Sequence, residues 1–266
     1  MKDKALLKKR IPELDIARGI AVLLMILDHA MYDLWGLMPM LFPAFKDSQP
    51  ARLALRYWNW DVRYYVRFVI LFVFLALTGI CCSLSKSNLK RGLKLLGVAL
   101  FLTLATWIVG TVLKDPDMTI TFGVLHCISL VLILIGLFDT FLKNKWFYLI
   151  VGVLLVAFGI SIGEPEFVSY SSDTFGVLML KQIAGLVACG SDCFAFPLYG
   201  GQIFIGVFLG KLLYREKKSL IPNAEYRNGP VEFVGRHSLF VYFGHQIVLP
   251  VLMAAVLLLA GYSLTL

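Results

Sequence analysis

Seven stretches of this chain are long and apolar enough to cross a lipid bilayer, at 14–36, 63–86, 92–114, 119–141, 145–163, 197–213 and 237–261. A crossing helix needs about 20 mostly apolar residues, because the hydrocarbon layer offers no water to backbone N–H and C=O groups. With 59% hydrophobic and only 16% charged residues among 266, a soluble globular reading is excluded. The expectation is an all-α polytopic membrane helix bundle of about seven transmembrane helices, built as a single integral-membrane domain over 1–266. The stretch 175–189 is short and interrupted by Lys181 and Gln182, so it is expected as an interfacial or re-entrant piece. Only 215–230 reads as a linker.

The charges set the expected topology. Lys2, Lys4, Lys8, Lys9 and Arg10 precede the first span; Lys86, Lys90, Arg91 and Lys94 follow the second. Lys143 and Lys145 follow the fourth, and Lys211, Arg215, Lys217, Lys218, Arg227 and Arg236 surround the sixth connection. All fall on one side of a seven-span chain, which places the N-terminus in the cytoplasm and the C-terminus outside. Asp115, Asp117, Glu164, Glu166 and Asp173 then fall outside. Arg52, Arg56, Arg63 and Arg67 oppose the rule. Either they snorkel from an amphipathic interfacial helix, or they line an outer surface that receives an anionic substrate. The formal charge of +8 is dispersed among membrane flanks, with no aromatic-basic motif, so a nucleic-acid partner is not expected. The first span is too long and too charged at its centre to be a removable signal peptide. Cys81, Cys82, Cys127, Cys189 and Cys193 lack zinc-ligand spacing, and no metal is expected; Cys189 and Cys193 fall outside and could pair.

Ionisable groups at bilayer depth are costly unless they are paired or line a wet cavity, and so they point to function. Arg18 and His29 stand eleven residues apart on the first span, just over three helical turns, so they share one face. His29 sits roughly 22 Å deep. Tyr32 and Asp33 follow at i+3 and i+4 on that face, where a carboxylate could hold the imidazole in one tautomer. Asp28 points away and is free to pair with another helix. Arg18 can grip phosphate oxygens bidentately, or serve structurally by pairing with Asp15. His126 in the fourth span lies level with His29, His245 near the middle of the seventh, and His237 close to the cytoplasmic face. Taken singly, a histidine inside a bundle is more often a hydrogen-bonded packing residue than a catalyst.

Arg18, ten residues, then His29 resembles the signature of the membrane acyltransferase superfamily. The string from Glu13 through Arg18 and Met25 to His29, Tyr32 and Asp33 resembles the heparan-α-glucosaminide N-acetyltransferase catalytic-domain family, chiefly its small bacterial members. Four further segments fit: Leu77 to Ser85 with Arg91-Gly92; Phe122-Gly123 to His126; Asp192 with Phe194 and Pro197; and Gly235-Arg236-His237-Ser238 through Tyr242 to His245-Gln246. The resemblance implies a cytoplasmic acetyl-CoA donor, an acetyl group carried through the bundle, and the amine or hydroxyl of a sugar or glycan acceptor on the outer side. The lysosomal relatives carry a histidine in the loop after the first span, and 37–62 contains none. The base is then expected to be His29, oriented by Asp33 or Tyr32, or another intramembrane histidine. Direct transfer and a covalent acetyl-histidine both stay open. His126, backed by Ser129, is the expected oxyanion donor or alternative base. Arg18 with Lys90, Arg91, Arg236 and His245 is assigned to the donor, and Asp192, Arg56 and Arg63 to the acceptor. The implied location is the plasma membrane of a bacterial cell, in a monomer or a homo-oligomer. The competing classes are a small transporter or flippase using the same buried groups as a substrate or proton pathway, and a structural membrane subunit.

Overall fold

The computed structural model describes residues 10–142, 144–169, 175–190, 192–222, 226–227 and 229–265. Lys2, Lys4, Lys8, Lys9, Lys143 and Asp173, which entered the topology argument, lie outside the described residues. Among the described residues the chain is all-α apart from two short parallel strands, β1 (Glu166–Phe167) and β2 (Val187–Ala188). It divides into two compact units, Met1–Phe74 with Ile221–Leu266, and Leu75–Leu220.

The first unit opens with α1 (Pro12–Tyr32), started by Pro12 and by Glu13 and Asp15 in the first turn, where a carboxylate meets the positive end of the helix. A π-helical turn, Asp33–Leu37, continues α1 into the short α2 (Met38–Leu41). Then comes α3 (Gln49–Trp58), capped by the Ser48 hydroxyl accepting from the Ala51 N–H at 3.3 Å. Helix α4 (Asp61–Leu84) belongs to this unit up to Phe74. The unit closes with α10 (Pro230–Arg236) and α11 (Ser238–Leu259). Helix α11 runs parallel to α1. His245 meets His29 early along α11, and further on Met253, Ala254 and Leu257 join Leu34, Leu37, Met38 and Leu41 in one apolar cluster. At the opposite end α10 lies so close to α1 that a Cβ on Gly235 would strike the Asp15 carbonyl. Glycine is required there by backbone approach alone.

The second unit contains the rest of α4, α5 (Asn88–Leu113), α6 (Val124–Phe141), α7 (Lys145–Ile162), α8 (Phe175–Ala184) and α9 (Gly201–Leu213), the last entered through a π-helical turn, Phe196–Gly200. Small residues let its helices touch: a Cβ on Gly206 would meet the Ala76 backbone, and one on Gly79 the Ile203 carbonyl. Such contacts are the packing currency of helices that gain nothing from hiding apolar surface from lipid. The stretch expected as a re-entrant piece forms α8 and then β2, which pairs with β1. Helix α6 starts at Val124, five residues after the 119 read from hydropathy, because 119–123 runs extended and Phe122 bridges Cys193.

Among the described residues six helices are long and apolar enough to cross a membrane: Asp61–Leu84, Asn88–Val112, Val124–Phe141, Lys145–Ile162, Phe196–Leu213 and Ser238–Leu259. Helix α1, at 21 residues, has the length and falls short on composition, since it carries Glu13, Asp15, Arg18 and Asp28. A first and a last helix that run parallel need an odd number of crossings, which the six helices supply once α1 is added. The chain is therefore a polytopic membrane helix bundle.

Candidate active site

In the first unit, α1 and α11 bring two imidazoles together. His29 Nδ1 lies 2.7 Å from His245 Nε2, with ring planes only 10° apart. The other nitrogen of His245, Nδ1, lies 3.2 Å from the Val241 carbonyl oxygen. A carbonyl only accepts, so the proton of neutral His245 is on Nδ1 and its Nε2 carries a lone pair. His29 must then donate from Nδ1, which leaves His29 Nε2 unprotonated and without a protein partner among the described residues. This hydrogen-bond chain leaves the Nε2 lone pair of His29 available as a proton acceptor. The Tyr242 ring flanks both histidines, at centroid distances of 6.2 and 5.5 Å.

The orienting group expected from spacing is not the one observed. Among the described residues no hydrogen bond joins Asp33 or Tyr32 to His29. Tyr32 is exposed and packs against Trp35 and Trp58, and Asp33 is buried where the helix turns π-helical. His245, assigned from sequence to the donor, instead holds the His29 ring. Nothing local signals this contact, because the two residues lie 216 positions apart.

Asp28 does pair with another helix. Arg63 of α4 binds it bidentately, Nε to Oδ1 at 2.7 Å and Nη2 to Oδ2 at 2.9 Å, while the Tyr57 hydroxyl donates to Oδ1 at 3.2 Å. The guanidinium also lies 3.5 Å from the centre of the Trp58 ring, a cation–π contact. Burial first, then the Asp28 carboxylate, pushes the Tyr57 phenol above its ordinary value. Arg63, assigned from sequence to the acceptor, is thereby paired with Asp28, and one of the four arginines that opposed the topology rule has its charge compensated inside the unit. Arg56 is exposed on α3.

At the cytoplasm-assigned end of α1, Asp15 accepts from Arg10 at 2.7 Å and Arg18 at 3.1 Å, and Arg18 also donates to the Gly235 carbonyl at 3.3 Å. The structural alternative for Arg18, the pair with Asp15, is thus present. Tyr226 donates to the same carboxylate. Burial raises its phenol above the ordinary range, Asp15 adds to the rise, and Arg236 and Arg10 oppose it. Two guanidinium groups therefore meet one carboxylate at this end, while Arg236 acts on the Tyr226 phenol and rests on the Phe233 ring.

The second unit treats its histidine differently. His126 Nδ1 accepts from the Gly123 N–H at 3.3 Å, so its proton is on Nε2, 3.1 Å from the Thr103 hydroxyl, which in turn donates to the Ile120 carbonyl at 2.7 Å. Both ring nitrogens are used in closing the N-terminus of α6. Ser129 donates to the His126 carbonyl rather than to the ring. His126, expected from sequence as an oxyanion donor or alternative base, has both ring nitrogens bonded within the unit. Asp192, assigned from sequence to the acceptor, also caps α6: its Oδ2 accepts from the Val124 N–H at 3.1 Å, 68 residues away. The buried Gln182 ties the same region together, accepting from Thr121 at 2.7 Å and donating to the Cys189 carbonyl at 2.9 Å. Cys189 and Cys193 are free thiols, both raised above the ordinary thiol value chiefly by burial. Lys90 and Arg91 are exposed at the start of α5, with Arg91 donating to the Cys81 carbonyl at 3.3 Å. Asp139 collects Lys211 at 2.6 Å and Tyr148 at 2.7 Å.

The fold and these contacts define a class, that of polytopic membrane proteins that pair ionisable groups between their helices. The comparison with known families makes it particular. The profile of the heparan-alpha-glucosaminide N-acetyltransferase catalytic family matches residues 10–247, and the chain belongs to that family. It is a multi-pass transmembrane acetyltransferase by membership. No curated protein and no solved structure matches the chain.

Proposed function

We propose that this protein transfers an acetyl group from acetyl-CoA to the amine or hydroxyl of a sugar acceptor, with His29 as the general base. The observation that carries this reading is the hydrogen-bond chain Val241–His245–His29, which aims an unprotonated Nε2 away from the His245 contact. His29 Nε2 takes the proton from the acceptor as the nucleophilic atom attacks the thioester carbonyl. The resulting imidazolium keeps its Nδ1–H on His245 Nε2, which disperses the new charge without rearrangement. When the carbon–sulfur bond breaks, the departing thiolate receives the proton from His29, and the base is restored. His245 is a positioning residue in this scheme.

The donor's phosphates suit the guanidinium cluster of Arg10, Arg18 and Arg236, since planar guanidinium groups bind phosphate in forked pairs. Arg18 lies about 16 Å from His29 along α1 at 1.5 Å per residue, a span that fits an extended pantetheine arm with its thioester at the histidine. The exposed Lys90 and Arg91 of the second unit offer the same chemistry to an anion. The cytoplasmic N-terminus, entry of the donor from the cytoplasm, a sugar acceptor on the outer side, and residence in a bacterial plasma membrane belong to the same reading. Charge placement and the family resemblance support it. The test is acetyl transfer from labelled acetyl-CoA to glucosamine by purified protein in lipid nanodiscs. Label should appear on the sugar with the wild type and be lost with His29→Ala; no transfer by the wild type would remove the reading.

A further inference from the structure

Three acidic side chains are buried outright in the described structure: Asp15, Asp33 and Glu232. Asp15 is met by Arg10, Arg18 and Tyr226, and Glu232 by the Gly229 N–H. Asp33 is 8% exposed, and among the described residues no hydrogen bond or ion pair reaches its carboxylate. A buried carboxylate without a counter-charge is retained against a standing cost, so it is expected to meet its partner from outside the chain. Its position narrows what that partner is. Asp33 follows His29 by one turn, so their Cβ atoms lie roughly 6 Å apart on one helix face. It also begins the π-helical turn Asp33–Leu37, a local widening that recurs where helices build functional sites.

We infer that Asp33 is the seat of a cationic amine on the acceptor and the second proton acceptor in its acetylation. This rests on the acetyltransferase reading above, taken with an amine as acceptor, and adds the residue that receives that amine. The proton count supplies the reason. A hydroxyl acceptor gives up one proton, which His29 can pass to the departing thiolate. An amine enters as the ammonium form and leaves as an amide, so its nitrogen sheds two protons, only one of which the thiolate consumes. His29 Nε2 takes the first, the freed nitrogen attacks the thioester carbonyl, and the carbon–sulfur bond breaks. The Asp33 carboxylate takes the second proton from the acylated nitrogen and releases it to solvent. An ammonium lodged beside Asp33 also supplies the positive charge that the first unit withholds from it.

The test uses full-length protein in nanodiscs and two sugars that differ in one group, glucosamine and glucose. Binding is measured by titration calorimetry without acetyl-CoA. The wild type should prefer glucosamine, Asp33→Asn should weaken glucosamine binding by roughly ten- to a hundredfold, the worth of a charged hydrogen bond, and Asp33→Glu should keep the preference. Unchanged glucosamine binding by Asp33→Asn, or no amine preference in the wild type, overturns the inference. In transfer assays Asp33→Asn should raise KM for glucosamine and lower kcat. A lower kcat at unchanged KM would make Asp33 a structural support of His29 and also overturn it. A wild type that prefers glucosamine through Asp33 yet transfers no acetyl group leaves the amine seat standing and refutes the proposed reaction. Transfer that ignores Asp33 does the reverse.

Discussion

His29 and His126 are both histidines within apolar helices, and each is held in one tautomer by its own unit. In the second unit His126 spends both nitrogens on Gly123 and Thr103, closing a helix end. In the first, His29 spends one nitrogen on His245 and keeps the other. At similar depth the two rings differ in how many of their nitrogens the described residues already bond. The same contrast separates carboxylates: Asp28 is saturated by Arg63 and Tyr57, whereas Asp33 on the same chain segment is bonded by no described residue.

Substitutions can break or sharpen this contrast. The largest effect falls on His29: removing its imidazole should lower acetyl transfer by about 10²- to 10⁴-fold, measured as turnover per folded molecule, with thermal unfolding close to the wild type. Next is Arg63→Ala, which strands Asp28 and should cost about 3 kcal/mol of stability, read from denaturant unfolding. Its turnover per folded molecule should hold, and a selective loss of sugar binding would return Arg63 to the acceptor site. His245→Ala removes the partner of the imidazolium and should slow transfer by about ten- to a hundredfold, the value of one hydrogen bond to a charged group; rescue of rate by added imidazole would mark the loss as chemical. His126→Ala leaves the Gly123 N–H unpaired and should cost about 1–2 kcal/mol of stability, seen as a lower Tm with little change in turnover.

The helices were legible because hydropathy is a local property. The apolar runs at 63–86 and 145–163 become α4 and α7, and the described residues of 215–229 stay outside any helix, with Pro230 opening α10. The spacing of Arg18, Asp28 and His29 on α1 also correctly set Asp28 apart, facing another helix. What the spacing could not show was partnership between residues far apart in the chain. His245 and His29, Arg63 and Asp28, and Asp192 and Val124 are joined by tertiary packing, and each pair leaves at most a polar residue in an apolar run as its trace. The start of α6 was misplaced for a related reason: 119–123 is apolar enough to continue a helix, yet it runs extended beside Cys193 and Phe194. Sequence offered Asp33 as the orienter of His29 because i+4 neighbours share a face, and it could not show that a histidine of α11 already held that place.

The central claim is that the spare nitrogen of His29, and not the saturated ring of His126, is the base. It is tested most directly by side-by-side transfer from labelled acetyl-CoA to glucosamine with His29→Ala and His126→Ala at equal concentrations of folded protein. The account predicts that turnover collapses in the first and stays within a few-fold of wild type in the second. Full turnover without His29, or an equal collapse in both variants, would contradict it.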